Sequence, residues 1–242
     1  MQEFHFPNWV NKFTMMAIGG LLAGGGYVAA CGYFATHPTT VNVGHAPEQP
    51  VPYSHKLHVG QLGLDCKYCH NTVDKAAHAA IPPTETCGNC HGGYRYEEAP
   101  KPDGSGEMET RKVQFSAVHL TSEKLAPVRD ALENGDTVPW IRVHDLPDFV
   151  YFNHSAHVNR GVSCVECHGR VDRMEVVTQV QSLSMKFCLD CHRNPDARLR
   201  PLDQVTNLGW DAPEGQTREE IGRGIREKLG INPSTSCSTC HR

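Results

Sequence analysis

Five times in 242 residues, two cysteines stand three apart with a histidine directly behind the second: Cys66/Cys69/His70, Cys87/Cys90/His91, Cys164/Cys167/His168, Cys188/Cys191/His192 and Cys237/Cys240/His241. These pentads take up ten of the eleven cysteines, and only Cys31 is left over. No other feature constrains the chain so strongly, because each known use of a CxxC pair makes a different demand on its surroundings. A disulfide scaffold has no need of the histidine, and a thioredoxin-type pair would occur once, within a βαβ pattern. Zinc ribbons are the serious rival: residues 70–86 and 168–187 separate successive pairs by 17 and 20 residues, which suits paired knuckles. A ribbon nevertheless needs nothing behind its second cysteine, and the fifth pair has no partner pair.

Covalent haem accounts for every element of the pattern. Two thiols bond to the porphyrin vinyl groups, and the next residue offers its imidazole to the iron. The sequence therefore predicts five haems c, attached through the ten pentad cysteines. His70, His91, His168, His192 and His241 would be the near-side ligands. The body has few apolar runs, and mean hydropathy is −0.45 even with the N-terminal segment included. Five macrocycles would supply the core that the side chains do not. A net charge of −4 gives no footing for nucleic-acid binding, which asks for a strongly basic domain.

Residues 13–36 form an uncharged stretch, "FTMMAIGGLLAGGGYVAACGYFAT", long enough as a helix to cross a bilayer. Val28, Ala29, Ala30 and Cys31 resemble a lipoprotein cleavage box, but the reading adopted is an uncleaved single-pass anchor. Gly20 and Gly24 make one GxxxG, weak evidence in so glycine-rich a stretch. Because c-type maturation takes place outside the bacterial cytoplasmic membrane, the body is expected on the periplasmic side. The expected organisation is a cytoplasmic tail (1–12, with His5 and Met1 inside), a transmembrane helix (13–36), a Pro-rich tether (37–52) and a haem-bearing body (53–242).

Within the body the chain repeats itself. "YSHKLHVGQLGLDCKYCHNTVD" from Tyr53 matches "FNHSAHVNRGVSCVECHGRVD" from Phe152 almost position for position. Each copy runs aromatic, HxxHV, CxxCH, Val-Asp and then a second CxxCH. Haem pairs are thus expected in 53–92 and 152–193, with a fifth haem at 237–241. Regular structure should be sparse: a helix over Thr217 to Gly230 opened by a Thr217/Glu220 capping box, another around Leu125, Val128 and Leu132 ending at Gly135, and an exposed loop over 97–112.

Each iron also needs a far-side ligand. His55, His58, His154 and His157 sit just ahead of haem sites, an arrangement that resembles the small multihaem cytochromes of the c3 and c7 type. That resemblance implies that the first histidine of HxxH closes the iron of the following CxxCH and that the second reaches a neighbouring haem. Met185 and His144 compete for the fifth position. His119 and His78 are weaker candidates, while His37 and His45 fall in the tether and are expected to be solvated.

"PWIRVHDLPDFVYFNHSAHV", "SLSMKFCLDCHRNP", the paired repeats, the lone C-terminal CxxCH and the N-terminal anchor together resemble the pentahaem cytochrome subunit of bacterial alternative complex III. The likeness runs along nearly the whole chain. It implies a mostly irregular fold with short α-helices and c3/c7-like repeats on one transmembrane helix, and a role within a membrane quinol oxidase assembly. Iron–sulfur and integral-membrane subunits would be its partners, and a monohaem cytochrome c or a terminal oxidase its acceptor. Two other classes compete with this one. A multihaem nitrite reductase needs one iron with an open face, and typically a lysine in place of a near-side histidine; all five pentads here end in histidine. A membrane-anchored quinol dehydrogenase feeding a periplasmic reductase is the alternative function.

Overall fold

The computed structural model describes residues 6–114 and 117–241, so His5 and the start of the N-tail lie outside the described residues. The chain divides into two units, Met1–Val43 and Gly44–Arg242. The first is built on one helix, α1 (Asn8–Thr36), 29 residues long, which at 1.5 Å per residue spans roughly 43 Å. It is apolar on every side, and no residue of its most hydrophobic stretch is buried in the protein. Its hydroxyls are turned back on the helix: Thr14 donates to the Val10 carbonyl and Thr36 to that of Gly32. By length and composition α1 is able to cross a membrane.

The second unit consists largely of loops and short helices. Four of the pentads lie on one- or two-turn helices: α2 (Cys66–Cys69), α3 (Thr84–His91), α6 (Cys164–His168) and α7 (Met185–Arg193). The fifth forms a last turn, Cys237–Cys240. Polar side chains start several of these turns, Asp65 accepting from the Lys67 amide and Ser184 from that of Phe187.

Both helices expected from periodicity are present. One is α4 (Ala126–Asn134), closed by Gly135 in the left-handed region at φ 69°; the other is α8 (Arg218–Leu229), with the Thr217/Glu220 capping box formed in both directions and Gly230 at φ 59°. The segment expected as a loop over 97–112 is instead a hairpin. β1 (Tyr94–Pro100) pairs antiparallel with β2 (Met108–Gln114), Tyr94 opposite Gln114 and Pro100 opposite Met108. Its polar, Pro- and Gly-containing composition hid alternation that cross-strand pairs such as Glu97 opposite Arg111 turn into a ladder.

The side-chain core is small and split. Val51, Val128, Ala131 and Val138 gather with Leu125, Leu132, Trp140 and Cys87; Val73, Val158 and Val205 gather with Ala79 and Cys164. Each cluster thus has a pentad cysteine in its wall. Residues 44–52 run as part of the second unit: Gly44 donates to the Gln179 carbonyl, Gln179 to that of His45, and the Gln49 side chain holds both backbone groups of Ile141.

The two sequence repeats pack reciprocally. In the first copy the HxxH segment is a π-helical turn, Lys56–Gln61; in the second it is a short α-helix, α5 (His154–Val158). The Lys56 amide donates to the Met174 carbonyl at 3.0 Å, and the equivalent Ser155 amide to the equivalent Ala76 carbonyl at 3.2 Å. Gly60 packs directly against the Asp172 carbonyl, and its counterpart Asn159 donates its side-chain amide to the Asp74 carbonyl at 2.8 Å. Each copy's HxxH segment therefore seats on the stretch that follows the other copy's first pentad.

Candidate haem-binding site

The two HxxH motifs are ordered by the aromatic residue ahead of them. Tyr53 stacks on His58 (centroids 4.3 Å apart, 24° between planes) and meets His55 edge-on (4.8 Å, 87°). Phe152 does the same with His157 (4.6 Å, 27°) and His154 (4.7 Å, 87°). The ring therefore holds the two imidazoles of its motif roughly at right angles, so that they face different ways.

Hydrogen bonds then select the tautomer. Nδ1–H donates to a backbone carbonyl in His58 (Ser54, 2.9 Å), His70 (Ala80, 2.9 Å), His91 (Val118, 2.9 Å), His154 (Ala77, 2.9 Å), His157 (Asn153, 2.7 Å) and His192 (Ser234, 2.6 Å). A carbonyl accepts only from a protonated nitrogen, so Nε2 is left bare and basic. This is the usual dress of a metal-ligating histidine. Burial favours the neutral form in five of the histidines. It pushes His168 down to about 3, with His144 and His154 adding to the effect, and His55 down to about 4; His144, His154 and His157 are lowered by the same cause.

The rings also stand at suitable separations. Two imidazoles closing one metal have centres roughly 6 Å apart, from nitrogen–metal bonds of ~2 Å on each side and ring centres ~1 Å behind their nitrogens. His58 and His91 are 6.3 Å apart, His157 and His192 6.2 Å, and His154 and His168 6.4 Å with nearly parallel planes. The first two pairs are equivalent under the repeat, each joining the second histidine of an HxxH motif to the second pentad of the same copy.

His55 lies close enough to His70 to feel its charge, and its Nδ1 is buried without a hydrogen-bond partner. His144 sits 4.4 Å from His168, edge-on and too near for a metal between them, with its buried Nε2 unpartnered. Met185 opens α7 and is exposed. His241 stacks on Phe149 at 5.8 Å. His45 is exposed, and His37 rests against Tyr33.

What the sequence did not foresee is the order of the pentads in space. The second touches the first: Asn89 donates to the Tyr68 hydroxyl at 3.2 Å, and Cys69 helps burial raise the Cys87 thiol. The first lies beside the third: the Cys66 thiol donates to the Thr206 carbonyl at 3.9 Å, and the Cys66 and Cys164 thiols are near enough to raise Cys66 and lower Cys164. A strap at Val205–Thr206 ties this junction, accepting from Ser163 at 2.6 Å and donating to Asp65 at 2.8 Å. The third neighbours the fourth: Arg198 reaches Glu166 of the third at 3.6 Å and lies over Phe187, beside Cys188 of the fourth, at 5.8 Å, while burial and then Cys191 and Cys188 push Cys167 up to about 12. The fourth touches the fifth, with Cys240 adding to the effect of burial on Cys188 and His192 held by Ser234, just ahead of Cys237. The succession is second, first, third, fourth, fifth.

The family described as cytochrome c7 and related cytochrome c matches residues 51–110 and 150–242, and the chain belongs to that family. Covalently bound haem c is that family's cofactor, and the thiol pairs with bare Nε2 atoms at metal-bridging separations fit it. The chain is also 28% identical over 199 residues to "Menaquinone reductase, multiheme cytochrome c subunit" of Nitratidesulfovibrio vulgaris (strain Hildenborough), a match covering 81% of this chain and 77% of that one.

Proposed function

We propose that this member of the cytochrome c7 family carries five haems c and relays electrons within a quinol-oxidising membrane complex, namely alternative complex III. The observation that carries the reading is the succession of neighbouring pentads, from the second through the first, third and fourth to the fifth. In this reading Cys66, Cys69, Cys87, Cys90, Cys164, Cys167, Cys188, Cys191, Cys237 and Cys240 attach the haems, and the five pentad histidines are near-side ligands. His55, His58, His154 and His157 close the first, second, third and fourth irons. Met185 closes the fifth: its helix also carries Cys188, the neighbour of Cys240, whereas His144, the competing candidate, lies beside the third pentad.

Haem, when bound, supplies a one-electron iron couple. The chain's own part would be to keep His55, His144, His154, His157 and His168 neutral by burial, to aim Nε2 by tying Nδ1–H to carbonyls, and to supply two ligands for each iron, leaving no position for a substrate. Helix α1 anchors the body on the periplasmic side of the cytoplasmic membrane, with the 1–12 tail inside. Iron–sulfur and integral-membrane subunits deliver electrons, and a monohaem cytochrome c or terminal oxidase receives them.

The relative's name, a menaquinone reductase subunit, supports a quinone-linked role and equally suits the second reading, a membrane-anchored quinol dehydrogenase feeding a periplasmic reductase. The intact mass should exceed that of the bare chain by five haems; a mass with four or fewer ends the pentahaem assignment. Purification from membranes should bring down iron–sulfur and integral-membrane subunits. Quinol oxidation by the isolated chain would move the assignment to the second reading, and carbon monoxide binding to the reduced protein would show an open iron and end the pure relay.

A further inference from the structure

Among the described residues Arg200 is the largest side chain buried outright, 2% exposed. Its backbone is clamped: Leu199 bridges Val162, the Arg200 amide donates to the Gly161 carbonyl at 2.9 Å, and the stretch leads straight to the third pentad. The guanidinium lies over the Trp210 ring at 5.2 Å, donates to the Asn207 carbonyl at 3.1 Å and meets Glu166 at 2.9 Å, while its Nε is buried with no partner. Glu166 lies inside the third pentad, between Cys164 and Cys167. Arg198 reaches the same carboxylate at 3.6 Å from the other side and covers the ring of Phe187, next to Cys188 of the fourth pentad. One acid and two bases thus sit between two neighbouring attachment sites, leaving one net positive charge in a mostly buried place.

A buried ion cluster of this kind seldom repays its desolvation in stability, and the unpartnered Nε adds to the cost. Charge beside a redox centre has a further consequence. Oxidising a haem iron adds one positive charge, so a net positive neighbour in a poorly screened interior disfavours the ferric state and raises the midpoint. We infer that the Glu166–Arg198–Arg200 cluster tunes the potential of the haem at the third pentad, Arg200 raising it and Glu166 lowering it. This rests on the reading of the pentads as haem sites. It makes Arg200 a positioning residue for the electron's energy rather than a ligand.

The test is a spectroelectrochemical titration of the full-length holoprotein and its Arg200→Gln, Arg200→Lys and Glu166→Gln variants, with intact mass checked for each. A mass short of five haems in the unmodified protein would fault the pentahaem reading, independently of this inference. With haems retained, R200Q should lower one midpoint and E166Q raise the same one. Each change should be on the order of tenfold in the ferric-to-ferrous ratio at fixed potential, or about 59 mV for a one-electron couple. R200K should keep the midpoint while losing thermal stability. Should R200Q fail to fold, R200K and E166Q still decide the matter. Loosened packing would move the midpoint in the same direction in R200Q and E166Q; that result, or no shift in E166Q, overturns the inference.

Discussion

Gly60 is the position where a single methyl group should be felt at an iron. A Cβ built there lies 2.2 Å from the Asp172 carbonyl oxygen and 3.4 Å from its carbon, so Gly60→Ala leaves the contact ~1 Å too short. Both partners are backbone, and neither rotates away. The turn that must give way, Lys56–Gln61, carries His58, with His55 at its cap. Ligand bonds tolerate only ~0.2 Å before they weaken, so a shift approaching ~1 Å detaches at least one far-side imidazole. Overpacking costs about 1–3 kcal/mol, partly offset by the ~0.5–1 kcal/mol that alanine gains over glycine in a helical turn. The expected net loss of about 1–2 kcal/mol lowers the melting temperature by roughly 2–8 °C for a body of this size. Ferric electron paramagnetic resonance should show one or two low-spin haems turned high-spin. The matched control is Asn159→Ala in the other copy, which loses a hydrogen bond worth about 1 kcal/mol without a clash and should leave every haem low-spin. An unchanged spectrum with an unchanged or higher melting temperature in G60A would refute the reciprocal seating as the device that holds the ligands.

At Gly222 on α8 a Cβ would fall 1.7 Å from the Asp196 carbonyl oxygen, so Gly222→Ala should cost on the order of 3 kcal/mol and lower the melting temperature by roughly 6–12 °C, leaving the haem spectrum unchanged because α8 carries no ligand. Replacing His55 or His154 by alanine should turn one haem high-spin in each case and spare the other four; magnetic spectra without a spin change in either variant would remove both from the ligand set. Met185→Leu should leave one haem high-spin, and Met185→His should keep it low-spin at a lower midpoint, because a thioether favours ferrous iron more than an imidazole does. If neither change disturbs a haem while His144→Ala does, the fifth far-side ligand is His144.

The pentads, both periodic helices and the repeat were legible because each rests on local chemistry: covalent spacing, caps, and a stripe at helical period. The hairpin over 94–114 was not, since its polar residues read as a loop until a partner strand is supplied from across the turn. Nor was the pairing of His58 with His91 and His157 with His192. Sequence marks which imidazoles exist, but which way they face is set by Tyr53 and Phe152, standing between the two histidines of each motif, together with the carbonyls that hold Nδ1–H. Arg200 gave no signal either, because an arginine ten residues before Trp210 looks like ordinary surface until its burial is seen. The spatial order of the pentads depends on contacts between segments far apart in the chain, such as Thr206 with Asp65, which no local pattern encodes.

The exchange of seats between the two repeats bears on how such a chain can change over evolutionary time. With Lys56 resting on Met174 and Ser155 on Ala76, neither copy completes its histidine positions alone. A fragment ending between α4 and α5 should therefore load haem poorly unless the other half is supplied in trans. A further copy inserted between the two would have to break a closed pair of contacts. Lengthening is cheaper outside that closed pair, and there the fifth pentad stands, tied to the pair through Ser234 and Tyr151 rather than woven into it.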